Sequence, residues 1–228
     1  QKDANLSSFV EYIKARQYDT LFLSDQTYTL FVPDNAAFSE FLQTDSVSRA
    51  VLNYHISGFF IQSGNIQEKR KVQTLAEKYA LFTRDGNGIY YDDIPLSFES
   101  PLYRNGKYFV MAHVAKPKPN LYEYIALNNP VLKRYIDSKD SIIRDKDRSR
   151  GIGFDENGNT IYDTVSITFN MFEEEYFAVK EEFRYRTATI VFPKEENYNA
   201  ALTSMAQQMK SVYTDYRDIP VEWQNEIL

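Results

Sequence analysis

The amino-acid sequence predicts an α+β fold in two domains, and two observations support this prediction. The first is a strand-to-helix junction, in which residues 29–32 form a β-branched and aromatic run that is typical of a buried strand. Pro33 ends the run because proline has no N–H for a β-ladder, and Asp34 or Asn35 can cap the helix that follows. The second is a later series of short β-type segments separated by glycine-containing turns.

These segments and turns account for the rest of the first domain. Asp85-Gly86-Asn87-Gly88 and Asn105-Gly106 are strong hairpin-turn sequences. The prolines at 117 and 119 indicate a short, stiff linker after the last segment. The predicted strands are residues 72–75, 79–83, 89–91, 95–98 and 107–114.

The composition excludes several classes of function. With 228 residues, of which 43% are hydrophobic and 25% charged, the chain is long enough for one large or two ordinary globular domains. The net charge of −6 argues against a nucleic-acid partner, because nucleic acids bind to positively charged surfaces. The absence of cysteine excludes disulfides, thiol nucleophiles and cysteine-based zinc sites. Apolar stretches are only of strand length, so the sequence predicts no transmembrane segment.

Two segments of the sequence recur, which indicates repeated domains. Residues 5–13 resemble residues 120–125, and each begins with an Asn that can cap an amphipathic helix. Residues 29–33 resemble residues 189–193. The second pair is separated by about 45 residues more than the first, so the second repeat must contain an insertion of that size.

The insertion, at about residues 138–185, is predicted to contain a hairpin arm, because the turn sequence 155–159 precedes the β-rich run 160–169. A final helix is predicted from about residue 218, with Trp223 and Ile227 on one face. After residues 189–193, the second repeat has too few residues left to match the length of the first repeat. We therefore expect the second domain, 118–228, to lack its C-terminal half. We expect it either to self-associate through exposed apolar surface or a sheet edge, or to be completed by strands that follow Leu228 in the natural protein.

The first-domain motifs resemble those of the fasciclin family. Residues 29–38 are similar to the family box Thr-Val-Phe-Ala-Pro-Thr-Asn-x-Ala-Phe, and Tyr54-His55 matches its Tyr-His box. The segment that begins at Asn105-Gly106 resembles the closing strand of the family. The positions that carry the resemblance are Thr29, Phe31, Pro33, Asp34, Phe38, Tyr54, His55, Asn105 and Gly106 in the first domain (1–117), and Thr189 and Pro193 in the second. The corresponding segment of the second domain departs from the family pattern, since Lys194-Glu195 follows Pro193 where the capping pair Asp34-Asn35 follows Pro33 in the first domain.

The resemblance implies a fasciclin-like β-wedge or β-sandwich with packed helices, and an extracellular adhesion or interaction module that is not an enzyme. It implies that His55 is structural and ties neighbouring backbone to the core; the alternative is that the Tyr-His pair contacts a partner. Tandem fasciclin domains with a long insertion and no cysteine resemble those of bacterial envelope lipoproteins. We therefore expect an extracytoplasmic location and an outer-membrane anchor outside this chain.

Other candidate sites are weaker. No Gly-x-Ser-x-Gly nucleophile elbow is present, so the sequence predicts no catalytic or cofactor-binding residues. Residues 145–156 place oxygens at several EF-hand positions, but Arg150 stands where the sharp turn needs glycine, so we predict no metal site. The adjacent acids Asp92 and Asp93 are expected to be solvated turn residues. An exposed aromatic rim is a further candidate, formed by Tyr90, Tyr91, Tyr103, Tyr122 and Tyr124.

The leading functional hypothesis is adhesion or scaffolding through a protein partner at the cell surface, without a cofactor. The alternative is a glycan-binding accessory protein of a surface polysaccharide-uptake system. A third hypothesis is an extracytoplasmic hydrolase. An exposed aromatic platform beside a groove would favour a glycan. A flat apolar patch on the arm would favour a protein partner, and two buried carboxylates in a cleft would favour a hydrolase.

Overall fold

The computed structural model describes residues 4–65, 69–209, 212–213 and 215–225, and it confirms the α+β class. The chain divides into two compact units. The first unit is Gln1–Lys118 with Glu182–Arg186, and the second is Pro119–Glu181 with Thr187–Leu228. The proline-rich residues 117–119 therefore lie at the division between the units.

The described part of the first unit contains a seven-stranded sheet and three α-helices. Its helices are α1 (Ser7–Ala15), α2 (Asn35–Thr44) and α3 (Arg49–Tyr54). Its strands are β1 (Tyr28–Pro33), β2 (Ile56–Ser57), β3 (Lys69–Gln73), β4 (Tyr79–Arg84), β5 (Ile89–Tyr91), β6 (Ile94–Glu99) and β7 (Gly106–Met111). The five strands predicted after the Tyr-His pair are all present, with ends that differ by at most three residues.

The strand order of this sheet is β2-β1-β7-β6-β5-β4-β3. Strands β1 and β7 are parallel, with Phe31 opposite Phe109, whereas the other neighbouring pairs are antiparallel. The first and last strands of the domain therefore lie side by side in the interior of the sheet, with only β2 beyond β1.

Strands β1 and β7 separate two apolar cores, because successive side chains of a strand point to opposite faces. On one face, the Phe31 and Phe109 rings stack with their centroids 5.4 Å apart, within a core that the other strands complete. On the other face, Val32 packs against the helices, where Phe9 and Phe38 meet edge to face at 5.5 Å. Burial on both faces explains why residues 29–32 form a continuous apolar run.

Helix α2 begins as predicted, and the structure decides between its two candidate caps. The Asp34 side chain accepts a hydrogen bond from the Ala37 N–H at 2.8 Å, so Asp34 is the N-cap. Asn35 instead serves α1, where its Oδ1 accepts from the Ser8 N–H at 3.0 Å. The cap expected from the Asn at position 5 is wrong, because Leu6 occupies the N-cap position of α1 and Asn35 supplies the acceptor.

The described part of the second unit contains α-helices and two two-stranded sheets, which are not joined to each other or to the seven-stranded sheet. Its helices are α4 (Leu121–Asn128), α5 (Pro130–Asp137), α6 (Met171–Glu175), α7 (Glu195–Gln208) and α8 (Val221–Asn225), and its strands are β8 (Asp140–Arg144), β9 (Arg150–Phe154), β10 (Thr160–Asp163) and β11 (Ser166–Asn170). The cap predicted at Asn120 is confirmed: Asn120 and Glu123 each accept a hydrogen bond from the backbone N–H of the other at 2.8 Å.

Residues 140–170 form one long β-hairpin, which we call the arm. Strand β8 pairs with β11 at its base, and β9 pairs with β10 in its outer part. The predicted turn at 155–159 joins the outer strands, where the Asp155 N–H donates to the Asn159 carbonyl at 2.8 Å. The base has a regular register, whereas a register shift between Ile161 and Tyr162 makes the outer pair irregular.

The resemblance of residues 189–193 to residues 29–33 implies a strand at residues 190–192, and this expectation is wrong. Residues 187–194 contain neither helix nor strand, because no strand of the described residues lies beside them to provide a ladder. Ile190 and Phe192 pack instead against the apolar cluster that includes Ile125 and Leu132. Helix α7 then begins after Lys194, which makes no side-chain capping hydrogen bond.

The predicted C-terminal helix is present as α8, which covers only Val221–Asn225. Trp223 is exposed, and Ile227 lies outside the described residues. None of the helices in the described ranges is both long and apolar enough to cross a membrane.

Candidate functional site

The first motif forms a buried scaffold. Thr29 is fully buried, and its hydroxyl donates to the Phe59 carbonyl at 2.7 Å while accepting from the Ile61 N–H at 3.0 Å. Pro33 closes β1 opposite Met111. These residues fix the strand and its neighbouring loop, and they present no group to a ligand.

His55 is buried, and both of its ring nitrogens bind backbone. The Ala115 N–H donates to Nε2 at 3.1 Å, so the proton of the neutral ring is on Nδ1, which lies 2.5 Å from the Phe31 carbonyl oxygen and donates to it. Burial lowers the pKa of His55 to about 4, against an ordinary value of 6.5. The ring therefore joins strand β1 to the end of the domain as a neutral structural link.

Tyr54 belongs to a second buried network, which the sequence did not reveal. Its hydroxyl donates to Asp92, and the Tyr91 hydroxyl donates to the Tyr54 carbonyl at 2.5 Å. The other Asp92 oxygen accepts from the Leu81 N–H at 2.7 Å. Burial, together with the neighbouring Asp92, raises the pKa of Tyr54 above its usual range.

The expectation of a solvated turn is therefore wrong for Asp92, whose side chain is only 6% exposed, although it fits Asp93 at 83%. Both residues have positive φ angles, 50° and 70°, as a two-residue hairpin turn requires. The turn directs the Asp92 carboxylate towards the core.

Asn105 and Gly106 hold the start of the closing strand against β1. The Asn105 Nδ2 donates to the Phe22 carbonyl at 2.8 Å, and its carbonyl accepts from the Tyr28 N–H at 2.9 Å. Gly106 has a φ of 147°, and a Cβ at this position would lie 1.9 Å from the Tyr28 carbonyl oxygen. Only glycine fits this contact.

The matched positions of the second unit lie in an irregular segment. The Pro193 carbonyl accepts a hydrogen bond from Asn129 Nδ2 at 2.7 Å, and the side chain of Asn129 also caps α5. Thr189 is exposed. These residues anchor the segment before α7 but do not reproduce the buried strand of the first unit.

Most of the motif residues hold the fold of the first unit, but Asn105 and Gly106 also line one of two candidate functional surfaces. That surface is an open groove of about 720 Å³ in the first unit, lined by α1 and by parts of β1 and β7. Tyr103 and Tyr108 lie on its wall with parallel rings, at 5° and with centroids 6.3 Å apart, and Tyr103 is 53% exposed. Apolar side chains such as Leu30 and the charged Glu11 and Lys14 complete the lining.

The other surface is the arm. Every residue of β8, β9 and β10 is exposed, so both faces of these strands are largely open to solvent. Large apolar side chains nevertheless occupy them, with Ile142 79%, Ile152 67% and Phe154 72% exposed. An isolated two-stranded ribbon is marginally stable in water, and exposed apolar side chains on such a ribbon favour contact with another protein.

The five tyrosines that the sequence offers as an aromatic rim differ in their exposure. Tyr103 and Tyr124 are exposed, and Tyr90 and Tyr122 are half-buried. Tyr91 is completely buried, because it packs on Phe31 with the ring centroids 4.0 Å apart.

The segment that resembles a calcium loop has a different local structure. The Asp145 carboxylate accepts from the backbone N–H groups of Asp147 and Arg148 and pairs with the Arg148 guanidinium at 2.6 Å. Within the described ranges, no group of three or more acidic or histidine side chains is placed to hold a metal ion.

Comparison with known proteins gives a family for the chain. No curated protein matches its sequence. Among solved structures, it is similar to a FAS1 domain pair from the insect cell adhesion molecule fasciclin I, with 15% identical residues and a TM-score of 0.42. That match covers 62% of this chain and 60% of the insect chain, which is less than two thirds of its length. The fasciclin domain model matches residues 4–117, which is half of the sequence. The chain therefore belongs to the fasciclin family.

Proposed function

We propose that this protein is a non-catalytic adhesion or scaffolding module that binds a protein partner outside the cytoplasm through its arm. Fasciclin domains are generally linked to adhesion and protein binding and are typically extracellular. The observation that supports the arm as the binding element is the exposure of the apolar side chains on three of its four strands, β8, β9 and β10.

We also propose that the second unit is a second fasciclin domain, expanded by the arm. The sequence of helix α4 and that of the segment before α7 support this assignment, because they resemble residues 5–13 and 29–33 of the first domain and follow in the same order. The proposed location is the bacterial cell envelope, at the outer membrane, since tandem fasciclin domains without cysteine resemble those of envelope lipoproteins.

A second candidate function is glycan binding in the groove. It is supported by the exposed Tyr103 ring, which lies parallel to Tyr108 beside a cavity of about 720 Å³. Such a cavity is in the size range of small-ligand sites, and flat aromatic rings can stack on sugar rings.

One experiment separates the two functions. Beads coated with the protein are tested for attachment to the cells that produce it, before and after the cell surface is treated with protease or with periodate. A protein partner predicts loss of attachment after protease, and a glycan predicts loss after periodate.

Two variants assign the effect to a surface. In the arm-less variant, an Asn-Gly turn replaces residues 141–169 between Asp140 and Asn170, which face one another at the base of the arm. The proposal expects this variant to lose attachment while Tyr103→Ala keeps it. Full attachment of the arm-less variant, with unchanged thermal unfolding, would contradict the proposal.

A further inference from the structure

The base of the arm has a free, regular strand edge. Strand β8 has one neighbour in the described structure, β11, and their register runs without interruption from Asp140 opposite Asn170 to Arg144 opposite Ser166. The five residues of β8 are all exposed, none is proline or lysine, and the charged residues Asp140 and Arg144 lie only at its two ends. An edge whose central residues carry no charge is a template for another strand.

The hydrogen-bond pattern shows which backbone groups this edge presents. The Asp145 N–H donates to the Val165 carbonyl, and the Met171 N–H donates to the Lys139 carbonyl. In an antiparallel pair, residues that bind the partner strand alternate with residues that point away from it. The odd-numbered residues of β8 therefore bind β11, and Asp140, Ile142 and Arg144 direct their backbone groups to the free edge.

The side chains at this edge are complementary to a second copy of the same strand. Antiparallel pairing centred on Ile142 places Ile142 opposite itself and Asp140 opposite Arg144 at both ends. It is also the register in which all three outward-directed residues exchange backbone hydrogen bonds. Parallel pairing would instead place like charges side by side.

The charged groups near these positions are compatible with such a pair. Asp140 already binds Lys180 at 2.8 Å and accepts from Asn170 Nδ2 at 2.7 Å, yet its side chain is 34% exposed. The Arg144 guanidinium lies 4.0 Å from the centroid of the Tyr162 ring, and Arg144 is exposed. Each group therefore keeps a face that a partner strand can reach.

The other edges of the arm are less suitable. The pair β9–β10 contains a register shift, and such irregularities discourage strand addition. Strand β11 carries no charged residue that would fix a register, and its Ile167 and Phe169 are half-buried. The combination of regular pairing, exposure and opposite charges at its two ends distinguishes β8.

From these observations we propose that two copies of the protein pair through their β8 edges, antiparallel and centred on Ile142, to form a four-stranded sheet in the order β11-β8-β8-β11. This inference rests on the proposed role of the arm as a binding element, and it names a second copy of the chain as a partner. A four-stranded sheet would also stabilise a ribbon that is marginal by itself.

A single-cysteine experiment on the full chain tests the register, because the sequence contains no cysteine. In the proposed pair, the two copies of residue 142 have Cα atoms about 5.5 Å apart, within the range that a disulfide spans. The variant Ile142→Cys should therefore form a disulfide-linked dimer under mild oxidation. Thr168→Cys is the matched control, since Thr168 lies opposite Ile142 on β11 and would be about 14 Å from its copy.

Charge variants and the oligomeric state complete the test. Sedimentation should show a monomer–dimer equilibrium that Arg144→Glu weakens at least tenfold and Arg144→Lys leaves almost unchanged. Cross-linking through Thr168→Cys but not Ile142→Cys, or a monomer at high concentration without cross-linking, would overturn the inference. If the arm-less variant then still loses attachment to cells, only the self-pairing is wrong and the proposed function stands.

Discussion

The buried His55 ring predicts a specific loss of stability in mild acid. The unfolded chain binds a proton at His55 with a pKa near 6.5, whereas the folded chain does so only near 4. Because the unfolded state binds the proton more readily, the contribution of the neutral ring is fully present above about pH 6.5 and falls as the pH decreases towards 4. The shift corresponds to a loss of roughly 2 kcal/mol between pH 7 and pH 5, and about 3 kcal/mol in the limit below pH 4.

The measurement is the free energy of unfolding in urea, followed by far-UV circular dichroism at several pH values, for the natural chain and for His55→Asn. Asparagine keeps a donor near the Nδ1 position but removes the acceptor for the Ala115 N–H, so its stability at pH 7 should be lower by about 1–3 kcal/mol. Carboxylates also contribute to the pH dependence, and they do so equally in both proteins. The difference between the two pH profiles therefore isolates His55.

His113 provides the control, since it is exposed and is the only other histidine. His113→Asn should keep the part of the pH dependence that the His55 ring contributes. The His55 ring signal can also be followed by NMR, and it should shift only slightly between pH 8 and pH 5. If His55→Asn and the natural chain lose the same free energy between pH 7 and pH 5, the reasoning is refuted.

Three further predictions concern the scaffold of the first unit, each measured by urea denaturation. Phe38→Ala should lower the free energy of unfolding by about 3–5 kcal/mol, because the ring is 2% exposed in the helical core, and an unchanged value would contradict this packing. Asp34→Ala should cost about 1 kcal/mol through loss of the α2 cap, whereas Asp34→Asn should cost little; equal losses would argue against the cap. Gly106→Ala should cost more than about 3 kcal/mol, since its Cβ would overlap the Tyr28 carbonyl oxygen, and a near-natural stability would show that β7 can move away from β1.

Local features of the first unit could be predicted from the sequence because neighbouring residues decide them. Pro33 and Asp34 fix the end of β1 and the start of α2 by their own backbone chemistry. The Asn105-Gly106 pair marks the start of β7, because the close backbone approach there requires glycine. The reciprocal cap of Asn120 and Glu123 likewise involves residues only three apart.

Features that depend on distant residues could not be predicted in this way. Asp92 is buried because it meets Tyr54, which lies 38 residues away in the chain. The helix α1 takes its capping acceptor from Asn35 and not from the nearby Asn5, because α1 and α2 pack together. In both cases a polar group finds its partner only after the chain has folded.

The sequence by itself determined the family motif, the α+β class and the existence of the arm, because these follow from local propensity, turns and caps. Only the tertiary structure decided that residues 189–193 are not a strand and that strands β8, β9 and β10 of the arm are exposed along their whole length. A β-type run specifies that a segment can be extended, but a neighbouring strand must supply its ladder and a neighbouring layer must bury its side chains. The same run therefore becomes a core strand in the first unit, an irregular anchor in the second and an exposed ribbon in the arm.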